Sequence, residues 1–338
     1  MSITSSLRPV VLPAALFVLS SFMTATALAA ALTRGNIIVD GTPTTVKEFT
    51  PAGVLVQTLP AAGVGAFTTG MCFDASGNLL VTQFSDGKVI QYSGATGAIL
   101  NANFITAPGQ PEACVRDTSG NFYLTSTTGI AAIRKYSSAG VLLQSFLPGV
   151  RTDWMDLGVD QCTMYWVDEG STTVIHRFNV CTNTALTNLG GNGTYTAIRV
   201  SPSTGDILVA NEGANRVDRF SAAGTLLGSW TPTGILGSIF SLNLDPDGAT
   251  FWTGGTGGSV HRFSLSGFGP QLSTFNSGNA NMFGLTVVGE ITTGGPPTDG
   301  GPVAFIPVPT LTEWTLAALS LLVVAIGVIS LRGRRRPV

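Results

Sequence analysis

Charged side chains are scarce in this chain: Asp, Glu, Lys and Arg make up only 11% of its 338 residues. Five of the 17 basic residues lie near the two ends, so residues 30–307 contain 12 basic and 18 acidic residues. Proteins that bind nucleic acid carry basic patches on their surface. The mildly acidic, weakly charged central part of the chain therefore argues against a nucleic-acid partner.

Histidine is rarer still, with two in the whole sequence. His176 and His261 occupy equivalent positions of an internal repeat, where other repeats carry Lys47 or Ile90. A repeat position that also accepts lysine and isoleucine is typical of a structural residue rather than of a ligand. The sequence therefore offers neither a histidine pair for a metal nor a Ser-His-Asp triad, and no catalytic residue is assigned.

The chain is built from a repeat of about 43 residues. Each unit consists of β-branched and aromatic runs separated by Asp, Ser and Gly turns, as in Asp117–Phe146, and such runs are typical of antiparallel strands. An aromatic residue ends the third run of each unit, with spacings of 43, 44, 42, 42 and 43 residues: Phe49, Tyr92, Tyr136, Phe178, Phe220 and Phe263. A period near 43 with four strands per unit predicts a β-propeller.

The first unit lacks a strand, and the missing strand lies at the other end of the repeat region. The unit begins at Gly35 without a run before its first turn, and an unpaired run, Met282–Val288, follows the sixth unit. A C-terminal strand that completes an N-terminal blade closes a propeller into a ring. We therefore predict an all-β, six-bladed propeller over residues 30–290, with Met282–Val288 paired beside Asn36–Val39 in blade one.

The repeat resembles that of NHL-type and related six-bladed propellers. Pro111–Asp117 followed by Ser119–Asn121 is similar to their strand-and-turn pattern, and Met282–Leu285 is a second match. The resemblance covers residues 35–288 and implies the fold. It implies no single activity, because propellers carry many unrelated functions.

Related six-bladed lactonases and lyases hold a divalent metal in the central channel with Glu, Asn and Asp side chains. At the corresponding positions here only Glu112 and Asp156 are acidic. Ca²⁺ binds through six or more oxygens, so we expect no cofactor, with Ca²⁺ at Glu112 and Asp156 as the alternative. We interpret the chain as a binding or structural module rather than an enzyme; the alternative is an extracytoplasmic metal-dependent lactonase or lyase.

Recognition by such a module falls to the loops of a rigid ring. The segments 149–154 and 230–235 lie between blades and contribute Arg151, Trp154 and Trp230, which belong to residue types enriched at binding hot spots. We predict that these side chains contact a surface ligand, which the sequence does not identify. The alternative is that both tryptophans pack between blades.

Four cysteines permit three disulfide pairings in an exported chain. Cys162 lies in the first turn of blade four and Cys181 just after its third strand, on the same side of the blade. We therefore predict a Cys162–Cys181 disulfide. Cys72 and Cys114 lie on the innermost strands of neighbouring blades and point to opposite blade faces. A bond between the two blades and two buried thiols both remain open for this pair.

The N-terminal residues 1–29 have the pattern of a secretory signal peptide. Arg8 precedes an apolar run over residues 10–22, and Ala27-Leu28-Ala29 forms a cleavage site. The alternative is an uncleaved membrane anchor.

The C-terminal part has three sections. Residues 291–307 are rich in Gly and Pro and are predicted to be a linker. Residues 315–331 are apolar or small and are predicted to form a single transmembrane helix. Arginines follow within 332–336 and are expected to stay cytoplasmic. A permanent anchor is the alternative to a processed tail.

Residues 308–338 resemble the IPTL-type C-terminal sorting signal of bacteria. The positions that match its motif are Pro309, Thr310, Leu311 and Trp314. Val308 and Thr315 stand where Ile and Gly are usual. The resemblance implies an envelope protein of a Gram-negative bacterium, anchored transiently in the membrane. An exosortase-type enzyme would cut it near the motif and pass it to the cell surface or the medium.

We expect the mature chain to begin near Ala30 and to lack the residues from Thr315 onward. The order of motif, apolar span and basic end is that of a C-terminal processing signal. Intact-mass measurement of the protein from the envelope or the culture fluid tests this. A mass that includes Arg332–Val338 would indicate a permanent anchor instead.

Overall fold

A computed structural model describes residues 29–42, 45–61, 67–128, 132–147, 151–170 and 172–295 of the chain. The predicted signal peptide (except Ala29), the transmembrane segment 315–331 and the sorting motif lie outside these residues. Within them, no helix is both long enough and apolar enough to cross a membrane.

The described residues form six antiparallel sheets of four strands each, which confirms the six-bladed propeller. Each blade runs from an innermost to an outermost strand. Blade two consists of β4 (Thr68–Phe73), β5 (Leu79–Gln83), β6 (Lys88–Tyr92) and β7 (Ile99–Thr106), and blade three of β8 (Cys114–Arg116), β9 (Phe122–Ser126), β10 (Ala132–Tyr136) and β11 (Leu142–Phe146).

The next three blades repeat this order. Blade four consists of β12 (Trp154–Leu157), β13 (Thr163–Val167), β14 (His176–Asn179) and β15 (Thr184–Ala185), and blade five of β16 (Tyr195–Val200), β17 (Ile207–Asn211), β18 (Arg216–Phe220) and β19 (Leu226–Trp230). Blade six consists of β20 (Ile239–Leu244), β21 (Thr250–Gly255), β22 (Ser259–Ser264) and β23 (Ser273–Asn276). The one helical element in the described residues is a short 3-10 helix, Glu212–Ala214.

Blade one joins the two ends of the propeller. It consists of β24 (Leu285–Val287), β1 (Ile37–Val39), β2 (Lys47–Phe49) and β3 (Leu55–Thr58), in that order from the centre. The innermost strand β24 pairs antiparallel with β1, so that Ile38 lies opposite Thr286. The C-terminal strand therefore completes the N-terminal blade, as the split first repeat predicts.

The core lies between the blades. The two inner strands of each blade are covered on both faces, and every residue of β4, β5, β9 and β13 is buried. The repeated aromatic residues fill the spaces between blades; Phe178 of blade four, for example, packs edge-on against Phe146 of blade three. A sheet covered on both faces needs apolar or small residues throughout instead of an alternating pattern, which accounts for the low charge.

The aspartates that recur in the turn after the first strand of the repeat have a local structural role. The Asp74 carboxylate accepts hydrogen bonds from the backbone N–H groups of Ser76 (2.8 Å) and Asn78 (2.9 Å), and Asp117 makes the same pair of contacts in the next blade. Aspartate favours turns because its side chain satisfies nearby backbone donors in this way. The turns between the first and second strands are thus fixed by local sequence.

Both cysteine pairs form disulfides. Cys162 and Cys181 are bonded with their Cα atoms 5.2 Å apart, as predicted. Cys72 of β4 and Cys114 of β8 are also bonded, with Cα atoms 5.5 Å apart, which decides the question that the sequence left open. Neighbouring innermost strands approach closely here: a Cβ atom on Gly70 would lie 2.0 Å from the carbonyl oxygen of Glu112.

Removing the closing strand should destabilise the whole ring. We expect a chain that ends at Met282 to unfold or to melt far below a chain that ends at Gly295, because loss of β24 leaves the edge of β1 and the flank of blade six uncovered. Thermal unfolding followed by circular dichroism compares the two chains. Equal melting temperatures would show that the ring does not depend on closure by β24.

Candidate functional site

The innermost strands surround a central channel that has two different ends. The first residues of β4, β20 and β24 lie at one end, which we call the mouth. Their last residues, together with those of β8 and β16, lie at the other end, which we call the floor. The sequence-predicted residues Glu112 and Asp156 are both buried in this channel.

The mouth contains a recess with aromatic walls. Its volume is about 170 Å³, and it is lined by Phe67, Thr69, Phe84, Glu112, Glu169, Phe240 and Phe283. The rings of Phe67 and Phe240 both meet that of Phe283 edge-on, at centroid distances of 5.9 and 5.1 Å. We call this space the mouth recess. Its only charged lining residues are the two glutamates.

A cluster of three carboxylates lies at the mouth. Glu112, Asp153 and Glu169 each place one carboxylate oxygen within 4.8 Å of the others. Arg151 donates from Nε to Asp153 Oδ1 (2.7 Å) and from Nη2 to Glu169 Oε2 (2.5 Å). We call Glu112, Asp153, Glu169 and Arg151 the mouth cluster. Three carboxylates and one guanidinium leave the cluster with a negative balance.

Two oxygens of the mouth cluster are buried and receive no donor from any other described residue. Glu112 is 3% exposed and Asp153 fully buried, and as ionised groups Glu112 Oε2 and Asp153 Oδ2 lack a hydrogen-bond partner. Burial raises the pKa of Glu112 well above its ordinary value, and the charge of Asp153, a hydrogen bond with Asp153 and the charge of Glu169 raise it further, against Arg151. Burial also raises the pKa of Asp153. The two carboxyl groups are therefore suited to share a proton, which satisfies both oxygens.

Threonine hydroxyls hold the mouth rigid. Thr69 of blade two donates to the carbonyl of Pro111 in blade three (3.2 Å), and Thr125 of blade three donates to the carbonyl of Asp153 in blade four (2.6 Å). Thr196 makes the equivalent contact with blade six. Glu112 and Asp153 therefore project from backbones that are fixed by the neighbouring blades.

The mouth cluster fits a divalent metal poorly. Ca²⁺ takes six to eight oxygen ligands, and here three carboxylates converge while Arg151 already takes one oxygen of Asp153 and one of Glu169. Asp156, the second predicted candidate, does not join them. Its carboxylate lies towards the floor and accepts from the backbone N–H groups of Leu157 (2.9 Å) and Val200 (2.7 Å). Glu112 precedes β8 at the mouth, whereas Asp156 is the third residue of β12 and lies at the floor, so the structure does not bring these two carboxylates together.

The floor is closed by a segment that we call the floor strap, residues 290–295. Arg116 donates to the carbonyl of Gly295 (2.7 Å), and Gln161 donates to the carbonyl of Thr293 (2.8 Å). The Thr293 hydroxyl donates to the carbonyl of Leu157 (2.7 Å). The first residues of the segment predicted as a linker are thus folded against the channel.

Glu290 anchors the strap inside the channel. It is 3% exposed and accepts from the Thr286 hydroxyl (3.0 Å). Burial raises its pKa to about 7; Arg199 lowers the pKa, and Asp156 raises it. At the floor Glu290 thus has a donor from another residue, whereas no described residue apart from Asp153 donates to Glu112 Oε2 at the mouth.

The predicted binding-loop residues divide between surface and core. Arg151 lies at the mouth with its side chain 41% exposed. Trp154 is buried against Phe240, and Trp230 is buried against Phe251 of the next blade at a centroid distance of 4.9 Å. Both tryptophans are end residues of strands, so their indoles enter the core, which is the alternative that the sequence left open. Neither is available to a surface ligand.

The two histidines are structural. His176 contacts Asp168 (3.1 Å) and stacks on Trp166 inside blade four. His261 contacts Gln271 (2.8 Å) in blade six. Neither lines the mouth recess.

Sequence reasoning missed Asp153, Glu169 and the phenylalanines at the mouth. Asp153 and Glu169 belong to different loops of blade four, and Glu112 precedes the first strand of blade three. The available signal was Arg151-Thr-Asp153 directly before an innermost strand, together with Glu112 at the matching place one blade earlier.

Comparison with known proteins agrees with the fold and adds the C-terminal signal. Residues 306–336 match the IPTL-CTERM motif. No curated protein matches the chain. A chain in the crystal structure of a nidogen/laminin complex is similar, with a TM-score of 0.62, 15% identity, and coverage of 75% of this chain and 98% of that one.

Two bacterial structures are similar as well. A gluconolactonase from Xanthomonas campestris has a TM-score of 0.53 at 16% identity and covers 67% of this chain and 84% of its own. A protein of unknown function from Bacteroides caccae has a TM-score of 0.59 at 14% identity, and the match covers 76% of this chain and 99% of that one. Such identities show the fold alone, and the NHL type within six-bladed propellers stays a prediction.

The sorting motif and the two disulfides together indicate an exported, cell-surface protein. An IPTL-CTERM motif is processed by exosortase-type machinery, which agrees with the predicted partner. The motif residues Pro309, Thr310, Leu311 and Trp314 fall within the matched range but outside the described residues.

Glu290→Gln should flatten the pH dependence of stability. A carboxyl group whose pKa is raised on folding stabilises fully below its unfolded pKa of about 4.3, and this contribution is lost as the pH rises towards about 7. The variant keeps an acceptor for Thr286 and cannot ionise, so above pH 7 it should be more stable than the wild type by up to about 3 kcal/mol. Urea unfolding at several pH values measures this.

Glu212→Gln, in a turn of blade five, is the matched control and should keep the wild-type profile. If Glu290→Gln shows the same fall in unfolding free energy as the wild type, Glu290 does not carry a proton in the folded floor.

Proposed function

We propose that this cell-surface propeller is a binding module that takes its ligand in the mouth recess. The observation that carries the proposal is the asymmetry of the channel. The mouth has an open recess with aromatic walls and a buried pair of carboxyl groups, Glu112 and Asp153, whose facing oxygens receive no donor from any other described residue. The floor is filled by the floor strap, and Glu290 has a donor there.

The construction of the mouth supports binding without a large rearrangement. Threonine hydroxyls connect the blades beneath Glu112 and Asp153, and the Cys72–Cys114 bond ties two innermost strands together. Binding loses less conformational entropy when the site is already in its bound form. The recess also has the mix of apolar walls and few polar groups that small-molecule sites share.

The residues at the mouth favour binding over catalysis. Among the residues that line the recess there is no histidine, lysine or thiol that could act as a nucleophile beside Glu112 or Glu169. Arg151 is held in two ion pairs. Named roles for acid, base and electrophile cannot all be filled.

A lactonase or lyase is the second candidate. It is supported by the fold shared with the Xanthomonas campestris gluconolactonase and by carboxylates at the mouth, where related enzymes hold a metal. The position of Arg151 against two of those carboxylates counts against it. A metal that replaced Arg151 would have to supply the Lewis-acid chemistry, and the present contacts do not prepare that site.

Replacing mouth phenylalanines should weaken binding. We expect a subset of a chemically diverse small-molecule library to bind the purified propeller, as seen by saturation-transfer NMR. We expect Phe283→Ala and the more exposed Phe67→Ala to weaken that binding by roughly tenfold or more, since aromatic contact area is lost. Phe268→Ala is the matched control, because this exposed ring lies against Trp230 and away from the recess.

Two results would contradict the proposal. Unchanged binding in both mouth variants would place the ligand elsewhere. The wild type could also hydrolyse D-glucono-δ-lactone with added Ca²⁺ and lose this activity in Glu112→Gln, which would show that the protein is a lactonase instead.

A further inference from the structure

We propose that the ligand of the mouth recess is an organic monocation, an ammonium group on an apolar stem. The stem would lie among the rings of Phe67, Phe240 and Phe283, and the nitrogen would lie against Glu112. This inference rests on the proposed function, since it names the ligand class of the same recess.

The charge of the recess selects for a cation. Both titratable residues in its lining are glutamates, Glu112 and Glu169, and the nearby guanidinium of Arg151 is already paired with Glu169. The recess therefore offers an anionic ligand no unpaired basic group. A cation that displaces the proton shared by Glu112 and Asp153 gains an ionised carboxylate as its partner, which a neutral apolar ligand does not.

The aromatic walls favour the same ligand. Phe67, Phe84, Phe240 and Phe283 stand around the carboxylates, and the faces of aromatic rings attract cations, most strongly where water is excluded. The same rings cover an alkyl stem. Aromatic rings beside carboxylates are therefore suited to an amphipathic cation rather than to a strongly hydrated one.

The two carboxyl groups that share a proton provide the place for the charged nitrogen. Glu112 lines the recess, and Glu112 Oε2 and Asp153 Oδ2 receive no donor from any other described residue. An ammonium group carries three donors and no acceptor. It can satisfy these oxygens while Asp153 Oδ1 and Glu169 Oε2 keep their bonds to Arg151.

A divalent ion could not bind the carboxylates while Arg151 keeps its bonds. Such an ion needs six or more oxygen ligands, so it would have to displace Arg151, and the walls of the recess, which are mostly phenylalanine, could not supply the remaining oxygens. The space of about 170 Å³ also suits a group with a stem better than a bare ion.

Binding of a cation should release a proton. Burial raises the pKa of Glu112, so the empty mouth favours a proton held with Asp153. An ammonium group that donates to these oxygens replaces that proton, which passes to the buffer. Affinity should therefore increase as the pH rises towards the raised pKa of this carboxyl pair, and the measured heat should depend on the buffer.

Calorimetric titration with n-butylammonium tests the inference. n-Butanol and butyrate have the same stem with a neutral and an anionic head. We expect n-butylammonium to bind at least about tenfold more tightly than either one, with proton release revealed by two buffers of different ionisation enthalpy. Glu112→Gln should weaken n-butylammonium by at least about tenfold, since the charged acceptor is lost.

Two further variants distinguish the role of Glu112 in cation binding from an effect on folding. Glu290→Gln removes a buried carboxyl at the floor and should bind like the wild type. Phe67→Leu keeps an apolar side chain and removes the ring from an exposed position. It should weaken n-butylammonium about threefold to tenfold with little effect on n-butanol, and it tests the inference if Glu112→Gln does not fold.

Three outcomes would overturn the inference. n-Butanol could bind as well as n-butylammonium, which would make the recess a purely apolar pocket. Ca²⁺ alone could bind, raise the melting temperature and compete with n-butylammonium, which would make the mouth cluster a metal site. Library ligands could bind the mouth, be lost in Phe283→Ala and yet resist competition by n-butylammonium; the proposed function would then stand without this ligand class.

Discussion

The close approach of the innermost strands around one axis is the constraint on which this protein depends. A Cβ atom on Gly284 would lie 1.8 Å from the carbonyl oxygen of Thr69, and one on Gly70 would lie 2.0 Å from that of Glu112. Side chains larger than glycine do not fit at these points, and the hydroxyls of Thr69 and Thr125 donate across the gaps between blades to the buried carbonyls of Pro111 and Asp153. Because six strands must converge, a single missing strand opens the ring, which explains why the C-terminal β24 is as essential as any central strand.

The features that could be predicted from the sequence are those that depend on residues close together in the chain. The repeat period depends on turns and strands that are local, so the blade number, the closing strand and the Cys162–Cys181 bond follow from spacing alone. Asp74 and Asp117 show why: each fixes its own turn. The mouth could not be predicted in this way. Glu112, Asp153 and Glu169 meet because two blades lie at a particular angle to each other, and no spacing within one repeat encodes that angle. The same holds for Cys72 with Cys114, and for the indoles of Trp154 and Trp230, which turn inward at strand ends.

Buried carboxyl groups occur at both ends of the channel, and the difference between them concentrates function at one end. At the floor, Glu290 and Asp156 meet Thr286, backbone N–H groups and Arg199, so their burial is compensated by donors. At the mouth, Asp153 and Glu169 share the guanidinium of Arg151, and Glu112 has only a shared proton with Asp153 as its partner. Burying carboxyl groups without donors from other residues reduces the stability of the fold. A ligand that enters the open aromatic recess and donates to these groups would therefore bind with a gain in free energy.

The floor strap also sets the place from which the C-terminal tail leaves the propeller. The described chain leaves the ring beneath the channel at Gly295, and the sorting motif begins at residue 306. The ten residues between them can extend over at most about 35 Å. Before cleavage, a chain held in the membrane by the predicted span at 315–331 would therefore be tethered from the floor end of its channel. The floor, and not the mouth, would then be the end of the channel nearest to the point of attachment.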